Sequence, residues 1–304
     1  MSLFPKVRST GLSILRGIYC STPCPGIADP IFIIGCGRSG TTILGTVLSR
    51  HRSITYLNEP RNLWFSAYPE TDIWTANAES RGGKLYLSSA DADSRKSRRI
   101  RRMFRFETLV TRRRVLIEKL PINSFRLEFI HALFPDARFI HIYRNGLEVA
   151  QSIEKANKDG DWFGSGDYKW RKLVDYATTG GNARNVVALC TTDFEKGLLE
   201  WRLSTEAAVS FLGNLAEGTC CELSYDEFVS HPMRAVSRIL QFIGVRADAS
   251  IGAFVNGTVS RRSVSMGRSA ISERMLAIGG PLLPLSMDGA SSLAKRGRQT
   301  LVHM

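Results

Sequence analysis

The chain of 304 residues lacks several features that would assign it to a common class of protein. It contains no run of about 18 apolar residues, so no transmembrane helix is predicted. Its cysteines and histidines do not follow the paired spacings of zinc sites, and we expect no bound metal. Cys220 and Cys221 are adjacent, which is unlike a disulfide framework and favours a reducing compartment, so a cytoplasmic location is predicted.

Acidic residues are scarce, because 28 Asp and Glu stand against 41 Lys and Arg, for a formal net charge of +13. Residues 95–114 hold ten basic residues and one acidic residue, a net charge of +9. Such a balance favours an anionic partner: a nucleotide, a nucleic acid, an acidic glycan or a membrane surface. Ile100, Met103 and Phe104 recur at helical spacing within this basic block. They predict a packed helix with a basic outer face, and we expect no specific nucleic-acid partner.

Composition also predicts how the chain is divided. With 43% hydrophobic and 23% charged residues, it is predicted to be globular. We expect a flexible leader over residues 1–29, one domain over residues 30–289 and a basic, weakly ordered tail over residues 290–304. Arg16 interrupts the apolar part of the leader, which makes it a poor signal peptide. Peripheral contact with a membrane stays open, and nothing in the sequence indicates an oligomeric state.

Short apolar runs alternate with helical patterns along the domain. This alternation predicts an α/β fold in which helices cover both faces of a parallel sheet. The predicted strands cover residues 31–34, 54–57, 115–118, 139–143 and 220–223. The predicted helices cover residues 94–110, 124–134, 147–155, 194–215 and 226–243.

A glycine-rich loop over residues 35–40 follows the first predicted strand and precedes a helical pattern. With the next two residues it reads GCGRSGTT, close to the phosphate-loop pattern G-x-x-x-x-G-K-[ST]. Such a loop points backbone N–H groups and a helix N-terminus at an anion. Thr41 stands where kinases and NTPases carry the lysine that contacts the triphosphate. A phosphate-loop kinase or NTPase is therefore the weaker alternative, and Arg38 supplies a cation instead.

The sequence Arg-Ser-Gly-Thr-Thr after an apolar strand resembles the 5′-phosphosulfate loop of sulfotransferases that use 3′-phosphoadenosine 5′-phosphosulfate (PAPS). It is similar to the bacterial enzymes and to the tyrosylprotein branch. The resemblance implies a P-loop-like fold, PAPS as co-substrate and no metal. It also implies that PAPS is bound by five loop residues: Arg38, Ser39, Gly40, Thr41 and Thr42.

A second anion site is predicted where the fourth strand ends. Arg144 follows that strand, and Ser152 lies eight residues on, about two helical turns away. Ligands of α/β sheets gather at the carboxyl ends of the strands, so we expect both residues near the glycine loop. The pair resembles the 3′-phosphate site of the family. By the same resemblance, Tyr225 borders the nucleotide, and Ser263 and Arg268 belong to a segment that closes over it.

The resemblance also implies the catalytic residues. Glu59 follows the second strand, where relatives carry the general base, and Lys119 in the stretch Glu-Lys-Leu-Pro would stabilise the leaving phosphate. Arg61 would position the acceptor. His141 is an alternative base, because cytosolic relatives use a histidine. Trp162 belongs to an aromatic insertion over residues 157–185 that is expected to line the acceptor site.

Together these features predict a sulfotransferase that moves the sulfuryl group of PAPS to an acceptor hydroxyl. Family analogy and the aromatic insertion favour a carbohydrate or glycolipid acceptor, with a protein tyrosine as the second choice. A polyanion-binding protein that uses residues 95–114 is the remaining alternative.

Overall fold

The computed structural model describes residues 4–179, 183–259, 271–287, 293 and 299–301. Each of the predicted strands is confirmed to within one residue of its expected bounds. In chain order the strands are β1 (Ile31–Ile34), β2 (Ile54–Asn58), β3 (Val115–Lys119), β4 (Arg138–Tyr143) and β5 (Cys220–Ser224).

Helices fill most of the described chain between and around the strands. The first six are α1 (Phe4–Ser21), α2 (Thr41–Leu48), α3 (Arg61–Ala67), α4 (Ser94–Thr111), α5 (Leu127–Leu133) and α6 (Gly146–Ala156). The later ones are α7 (Tyr168–Thr179), α8 (Asp193–Leu212), α9 (Tyr225–Ser230), α10 (Pro232–Ile243), α11 (Ala249–Thr258), α12 (Glu273–Gly279) and α13 (Leu282–Met287). Within the described ranges, no helix is both long and apolar enough to cross a membrane.

Four helix expectations differ from the structure, the mildest being the helix predicted over residues 194–215, which ends at Leu212. The predicted leader over residues 1–29 contains α1. The helix predicted over residues 226–243 is two helices, because Pro232 lacks the N–H of a helix interior and instead starts α10. The helix predicted over residues 124–134 begins late, since Pro121–Phe125 is a 3₁₀ turn and α5 starts only at Leu127.

The strands form one parallel sheet in the order β2-β3-β1-β4-β5. Their carboxyl ends therefore all meet at one edge. At that edge Asn58 lies opposite Lys119, and Tyr143 lies opposite Ser224. The segments that follow the strands, including the glycine loop after β1, are consequently neighbours in space.

Helices cover both faces of the sheet, as predicted. Along β1, Ile31 and Ile33 pack in one apolar cluster, which also contains buried side chains of α2, α10 and α11. Phe32 and Ile34 pack in the other cluster, together with α3, α4, α5 and α8. Because β1 is buried on both sides, its sequence is a continuous apolar run rather than an alternating one.

The start of α6 packs closely on α8, and Gly146 makes this approach feasible. A Cβ atom at Gly146 would lie 2.7 Å from the ring of Trp201 and 2.8 Å from Leu283. The Trp201 indole is buried and donates a hydrogen bond from Nε1 to the carbonyl oxygen of Arg144 at 3.1 Å. This packing therefore fixes the backbone where the predicted second anion site begins.

We predict that Gly146→Ala lowers the free energy of unfolding by about 1–3 kcal/mol, because the new methyl group overpacks the Trp201 ring. Gly257→Ala is the matched control, since its methyl group would meet open space in α11. It should leave stability unchanged or raise it by about 0.5–1 kcal/mol. Urea denaturation of both variants measures the difference, and equal stabilities would contradict this account of the packing.

Candidate active site

The glycine loop between β1 and α2 has the backbone conformation of an anion-binding loop. Gly35, Arg38 and Gly40 all have positive φ angles, of 140°, 71° and 95°. A Cβ atom at Gly35 would lie 2.1 Å from the carbonyl oxygen of Ile142, so the loop passes directly over the end of β4. Gly40 then starts α2, whose N-terminal amides and dipole favour a negative charge.

Ser39 provides a direct test of whether this loop fits a phosphate. Its side chain is 1% exposed, and its Oγ has no hydrogen-bond partner among the described residues. A buried hydroxyl without a partner is energetically unfavourable, and an anion oxygen would satisfy it. The donor set of the loop therefore fits the 5′-phosphosulfate group that the sequence resemblance implies.

Arg38 connects the loop with the second predicted anion site. Its Nε donates to Ser152 Oγ at 3.0 Å, and its carbonyl oxygen accepts from Nη1 of Arg144 at 3.3 Å. The Arg144 guanidinium lies 4.3 Å from the centre of the Tyr225 ring, and that ring in turn packs against Gly40. The structure thus brings all these predicted nucleotide-binding residues together.

Glu148 is a partner of Arg144 that the sequence analysis missed. The guanidinium contacts the Glu148 carboxylate through Nε and Nη2, each at 2.8 Å. The (i, i+4) spacing of Arg144, just before α6, and Glu148, in its first turn, was the available signal. Ser263 and Arg268, which were predicted to contact the nucleotide, lie outside the described residues.

Beside the glycine loop, Lys119 and Glu59 form a short ion pair. Lys119 Nζ lies 2.7 Å from Oε1 of Glu59 and donates to Oγ1 of Thr42 at 2.9 Å. Arg61 Nη2 contacts the other carboxylate oxygen of Glu59 at 2.7 Å. The predicted base, the predicted cation and the anion loop are thus linked in one chain of contacts.

The local backbone aims the Glu59 carboxylate. Glu59 has a positive φ of 49°, which is rare for a residue with a side chain, and its N–H donates to the carbonyl oxygen of Lys119 at 2.7 Å. The turn after β2 is therefore held against the last residue of β3. The Lys119 side chain is 0% exposed and that of Glu59 is 31% exposed, so only the carboxylate faces a cavity.

Opposing effects set the pKa values of the pair. Burial would raise the pKa of the Glu59 carboxyl, but the interactions with Lys119 and Arg61 outweigh it and lower the pKa below the ordinary value. Burial lowers the pKa of the Lys119 ammonium, although pairing with Glu59 opposes the shift. Glu59 is consequently ionised at neutral pH, as a general base must be.

Glu118 points to the opposite face of the sheet from Lys119, as regular strand geometry predicts. It is fully buried, and it accepts hydrogen bonds from Trp64 Nε1 at 2.9 Å and from Asn123 Nδ2 at 3.1 Å. Burial raises the pKa of Glu118 to about 8, although the hydrogen bond from Trp64 and the charge of Lys119 oppose the shift. Glu118 therefore belongs to the core and not to the catalytic cluster.

A cavity of about 300 Å³ opens beside the Glu59 carboxylate. Glu59, Arg61 and Trp162 line it, so three residues that were predicted to act on the acceptor share one space. Trp74 also lines it, and its ring lies 4.2 Å from the Arg61 guanidinium carbon. Gly37 of the glycine loop contributes to the same wall, where an added Cβ atom would lie 2.8 Å from the Trp162 ring.

A buried ion pair also lines this cavity. Lys169 Nζ lies 2.6 Å from Oε1 of Glu200, and the two side chains are only 5% and 6% exposed. Trp162 Nε1 donates to the other oxygen of Glu200 at 2.9 Å, while the Lys169 ammonium lies 4.7 Å from the Trp162 ring centre. Sequence analysis missed Trp74, Lys169 and Glu200, because they come from three segments that no local pattern connects.

His141, the alternative base, lies within β4 and not in the lining of this cavity. It is 1% exposed, and its Nδ1 lies 3.0 Å from a carboxylate oxygen of Glu222. This environment is that of a core histidine. Within the described part of the chain, no three His, Cys, Asp or Glu side chains cluster as metal ligands, and the absence of a metal stays a prediction.

A comparison with known families adds to this geometry. The profile of the Sulfotransferase family matches residues 30–249, which is most of the chain. The chain belongs to this family. Membership of the sulfotransferase family agrees with Thr41, which stands where kinases and NTPases carry the phosphate-loop lysine. It favours sulfuryl transfer over the kinase or NTPase alternative.

Curated relatives are more distant. Nodulation protein NoeE of Sinorhizobium fredii is 30% identical over 135 residues, which cover 40% of this chain and 30% of that protein. Protein-tyrosine sulfotransferase 2 of Gallus gallus is 22% identical over 218 residues, which cover 71% of this chain and 51% of that protein. The chain thus spans about half or less of the length of these relatives.

Solved structures support the fold. The sulfotransferase domain from the curacin biosynthetic pathway superposes with a TM-score of 0.50 at 15% identity, covering 86% of this chain and 83% of that domain. This similarity confirms the P-loop-like sulfotransferase fold that the sequence predicts.

The raised pKa of Glu118 predicts how stability depends on pH. The folded-state pKa of about 8 lies above the ordinary value of 4.5, so folding takes up a proton between these values. The stabilisation of the folded state by the protonated Glu118 carboxyl is fully present below pH 4.5. It is lost as the pH rises through the folded-state pKa of about 8. We expect Glu118→Gln, whose amide oxygen can still accept from Trp64, to remove this loss.

Urea denaturation of the parent protein and the Gln variant at about pH 5 and about pH 8 tests the expectation. The parent should lose more stability than the variant across that range. An identical loss in both proteins would show that Glu118 is already ionised at the lower pH.

Proposed function

We propose that the protein transfers the sulfuryl group of PAPS to an acceptor hydroxyl. The observation that carries the proposal is the chain of contacts from Glu59 through Lys119 to Thr42, which joins a base and a cation to an anion-binding loop. Family membership supports the same reaction. Sulfuryl transfer needs a base, a cation and an anion-binding loop around one reacting centre, and here they lie within hydrogen-bond distance of one another. A protein that only binds polyanions needs no general base.

The donor would bind across two anion sites. The loop amides, the hydroxyls of Ser39 and Thr42, and the N-terminus of α2 beginning at Thr41 are suited to the 5′-phosphosulfate. Arg144, Ser152 and Arg38 are suited to the 3′-phosphate, because they offer guanidinium and hydroxyl donors beside the loop. Tyr225 would pack against the nucleotide, and Ser263 and Arg268 stay predictions from sequence.

The reaction would proceed in a single displacement. The acceptor hydroxyl gives its proton to the Glu59 carboxylate while its oxygen forms a bond to sulfur. The bond from sulfur to the bridging oxygen of the 5′-phosphate breaks, and its electron pair stays on that oxygen. The Lys119 ammonium has a third N–H besides the two that contact Glu59 and Thr42, and it can stabilise the charge on the leaving oxygen. Adenosine 3′,5′-bisphosphate and the sulfated acceptor are the products.

We predict that Glu59→Gln lowers kcat by about 10²–10⁴-fold, because an amide cannot accept the acceptor proton. Lys119→Ala should lower kcat by about 10²–10³-fold, because the leaving oxygen loses its cation. Transfer of labelled sulfate from PAPS measures both, and binding of adenosine 3′,5′-bisphosphate shows that the Gln variant is folded.

Two residues outside the cluster, the exposed Glu79 and the half-buried Lys172, provide the controls for these variants. Glu79→Gln and Lys172→Ala remove the same charges from surface residues whose ion pairs lie outside the cluster, and they should leave kcat unchanged. Full activity of either catalytic variant would overturn the assignment of that residue.

The acceptor is proposed to be a carbohydrate or a glycolipid. A cavity of about 300 Å³ is at the small end of ligand sites and suits a single ring. Trp74 and Trp162 supply apolar faces, while Lys169 and Glu200 supply charged hydrogen-bonding groups in the same lining. A sugar ring has apolar faces and several hydroxyls, so it uses both features. The ring of a protein tyrosine has only one hydroxyl and would use fewer of the hydrogen-bonding groups in this lining.

We expect Trp74→Ala to raise the KM for a glycan acceptor at least about tenfold, because the sugar loses an aromatic face. The affinity for adenosine 3′,5′-bisphosphate should stay unchanged, since Trp74 is not among the residues proposed to bind the donor. Trp74→Phe is the matched control and should retain most of the affinity. Efficient sulfation of tyrosine peptides, with no activity on glycans or glycolipids, would contradict the proposed acceptor class.

The division of the chain also stays a proposal. The family match over residues 30–249 lies within the proposed domain of residues 30–289, and most of residues 290–304 lie outside the described ranges. A cytoplasmic location is likewise proposed from the sequence alone.

A further inference from the structure

The basic block of residues 95–114 forms α4 and the turn after it, and none of its arginines belongs to the proposed catalytic or nucleotide sites. Helix α1 packs along α4. Arg16 pairs with Glu107 at 2.6 Å, and the rings of Tyr19 and Phe106 lie 5.8 Å apart. Arg102 donates from Nη1 to the carbonyl oxygen of Cys20 at 3.1 Å. The two helices thus form one surface layer.

A groove of about 1270 Å³ runs between α1 and α4. Its single acidic side chain among the described residues, Asp93, caps α4 by accepting from the N–H of Lys96 at 2.7 Å. Six basic side chains line the groove: Arg16, Arg95, Lys96, Arg98, Arg99 and Arg102. The groove is therefore strongly positive.

Three of these cations are available to a partner. Lys96 pairs with Glu70 at 3.0 Å, while Arg16 and Arg102 are held between the helices. Arg95, Arg98 and Arg99 are exposed, and no described acidic side chain pairs with them. Their i, i+3, i+4 spacing puts the three guanidinium groups on one face of α4.

An exposed apolar row lies beside this groove. Ile14, Leu15 and Ile18 of α1 are 60%, 56% and 58% exposed. Ile14 and Ile18 lie one turn apart on the side of α1 away from Arg16, and Leu15 lies around the helix between them and Tyr19. A helix with an apolar row in water and cations beside it is the pattern of a helix that lies in a membrane interface.

We propose that α1 and the first half of α4 form a docking surface for an anionic lipid bilayer. Ile14, Leu15 and Ile18 enter the boundary between headgroups and acyl chains, and the three free arginines of α4 bind lipid phosphates. A soluble polyanion would use the arginines but would leave the apolar row without a partner. The row therefore favours the bilayer.

Helix α3 connects this surface with the cavity beside Glu59. Its first residue, Arg61, lines that cavity, while Asn62 and Ser66 line the groove. Docking would hold the cavity close to the bilayer, which suits a lipid-linked acceptor. The proposal itself concerns binding alone and does not depend on the proposed reaction.

Vesicle flotation of the full chain tests the proposal without PAPS or an acceptor. The protein should float with phosphatidylcholine vesicles that contain phosphatidylglycerol and only weakly with pure phosphatidylcholine vesicles. The triple variant Arg95→Gln, Arg98→Gln, Arg99→Gln should bind the anionic vesicles about 100-fold more weakly, at about fivefold for each basic residue. The triple variant Ile14→Ser, Leu15→Ser, Ile18→Ser should lose at least about tenfold.

Arg112→Gln, Arg114→Gln, Arg246→Gln is the matched control, because it removes the same charge from exposed arginines outside the groove. Its vesicle binding should stay within about twofold of the parent protein. Weak binding of the parent to anionic vesicles would overturn the proposal. Two results together would also overturn it: the apolar-row variant binds anionic vesicles normally, and the groove variant fails to bind dextran sulfate. That pattern would identify a site for soluble polyanions.

Discussion

The buried ammonium group of Lys119 is the constraint on which the rest of the site depends. A lysine that is 0% exposed is tolerated only when its charge is compensated, because transfer of an unpaired ion from water costs several kcal/mol. Glu59 and Thr42 provide that compensation, and each follows a different strand or loop at one edge of the sheet. The parallel strand order puts these partners within reach. The sheet topology therefore determines which groups can compensate the charge of the buried lysine in the active site.

Arg38 has a comparable role for the donor. Its backbone has a positive φ, which is strained for a residue with a side chain, and its side chain and carbonyl oxygen contact Ser152 and Arg144. One loop residue thus sets the separation of the two proposed anion sites. Arg144 is already paired with Glu148, so a 3′-phosphate would share this guanidinium with a carboxylate. Contacts of this kind within the protein would hold the site in place and reduce the entropy lost on binding.

The sequence predicted the strands and most of the cluster because both follow from short-range signals. A buried parallel strand is an apolar run, and the residues that follow it lie at the ligand-binding edge. The resemblance to sulfotransferases then singled out Glu59, Lys119 and Arg144 among them. Helix ends were less predictable, since Pro232 divides one apolar pattern into two helices. The ion pair of Lys169 and Glu200 could not be predicted, because its partners are 31 positions apart and meet only through the packing of α7 on α8.

Gly37 belongs both to the proposed donor-binding loop and to the wall of the cavity beside Glu59. Because it has no side chain, the Trp162 ring lies directly against the loop backbone, and the same loop forms a wall of the cavity beside Glu59. A ligand that displaces the loop by a few tenths of an ångström reshapes that wall. Donor and acceptor affinities would then be thermodynamically linked, and by reciprocity each substrate would alter the binding of the other by the same factor. Because this coupling would be an equilibrium property, its size would be the same whichever substrate binds first.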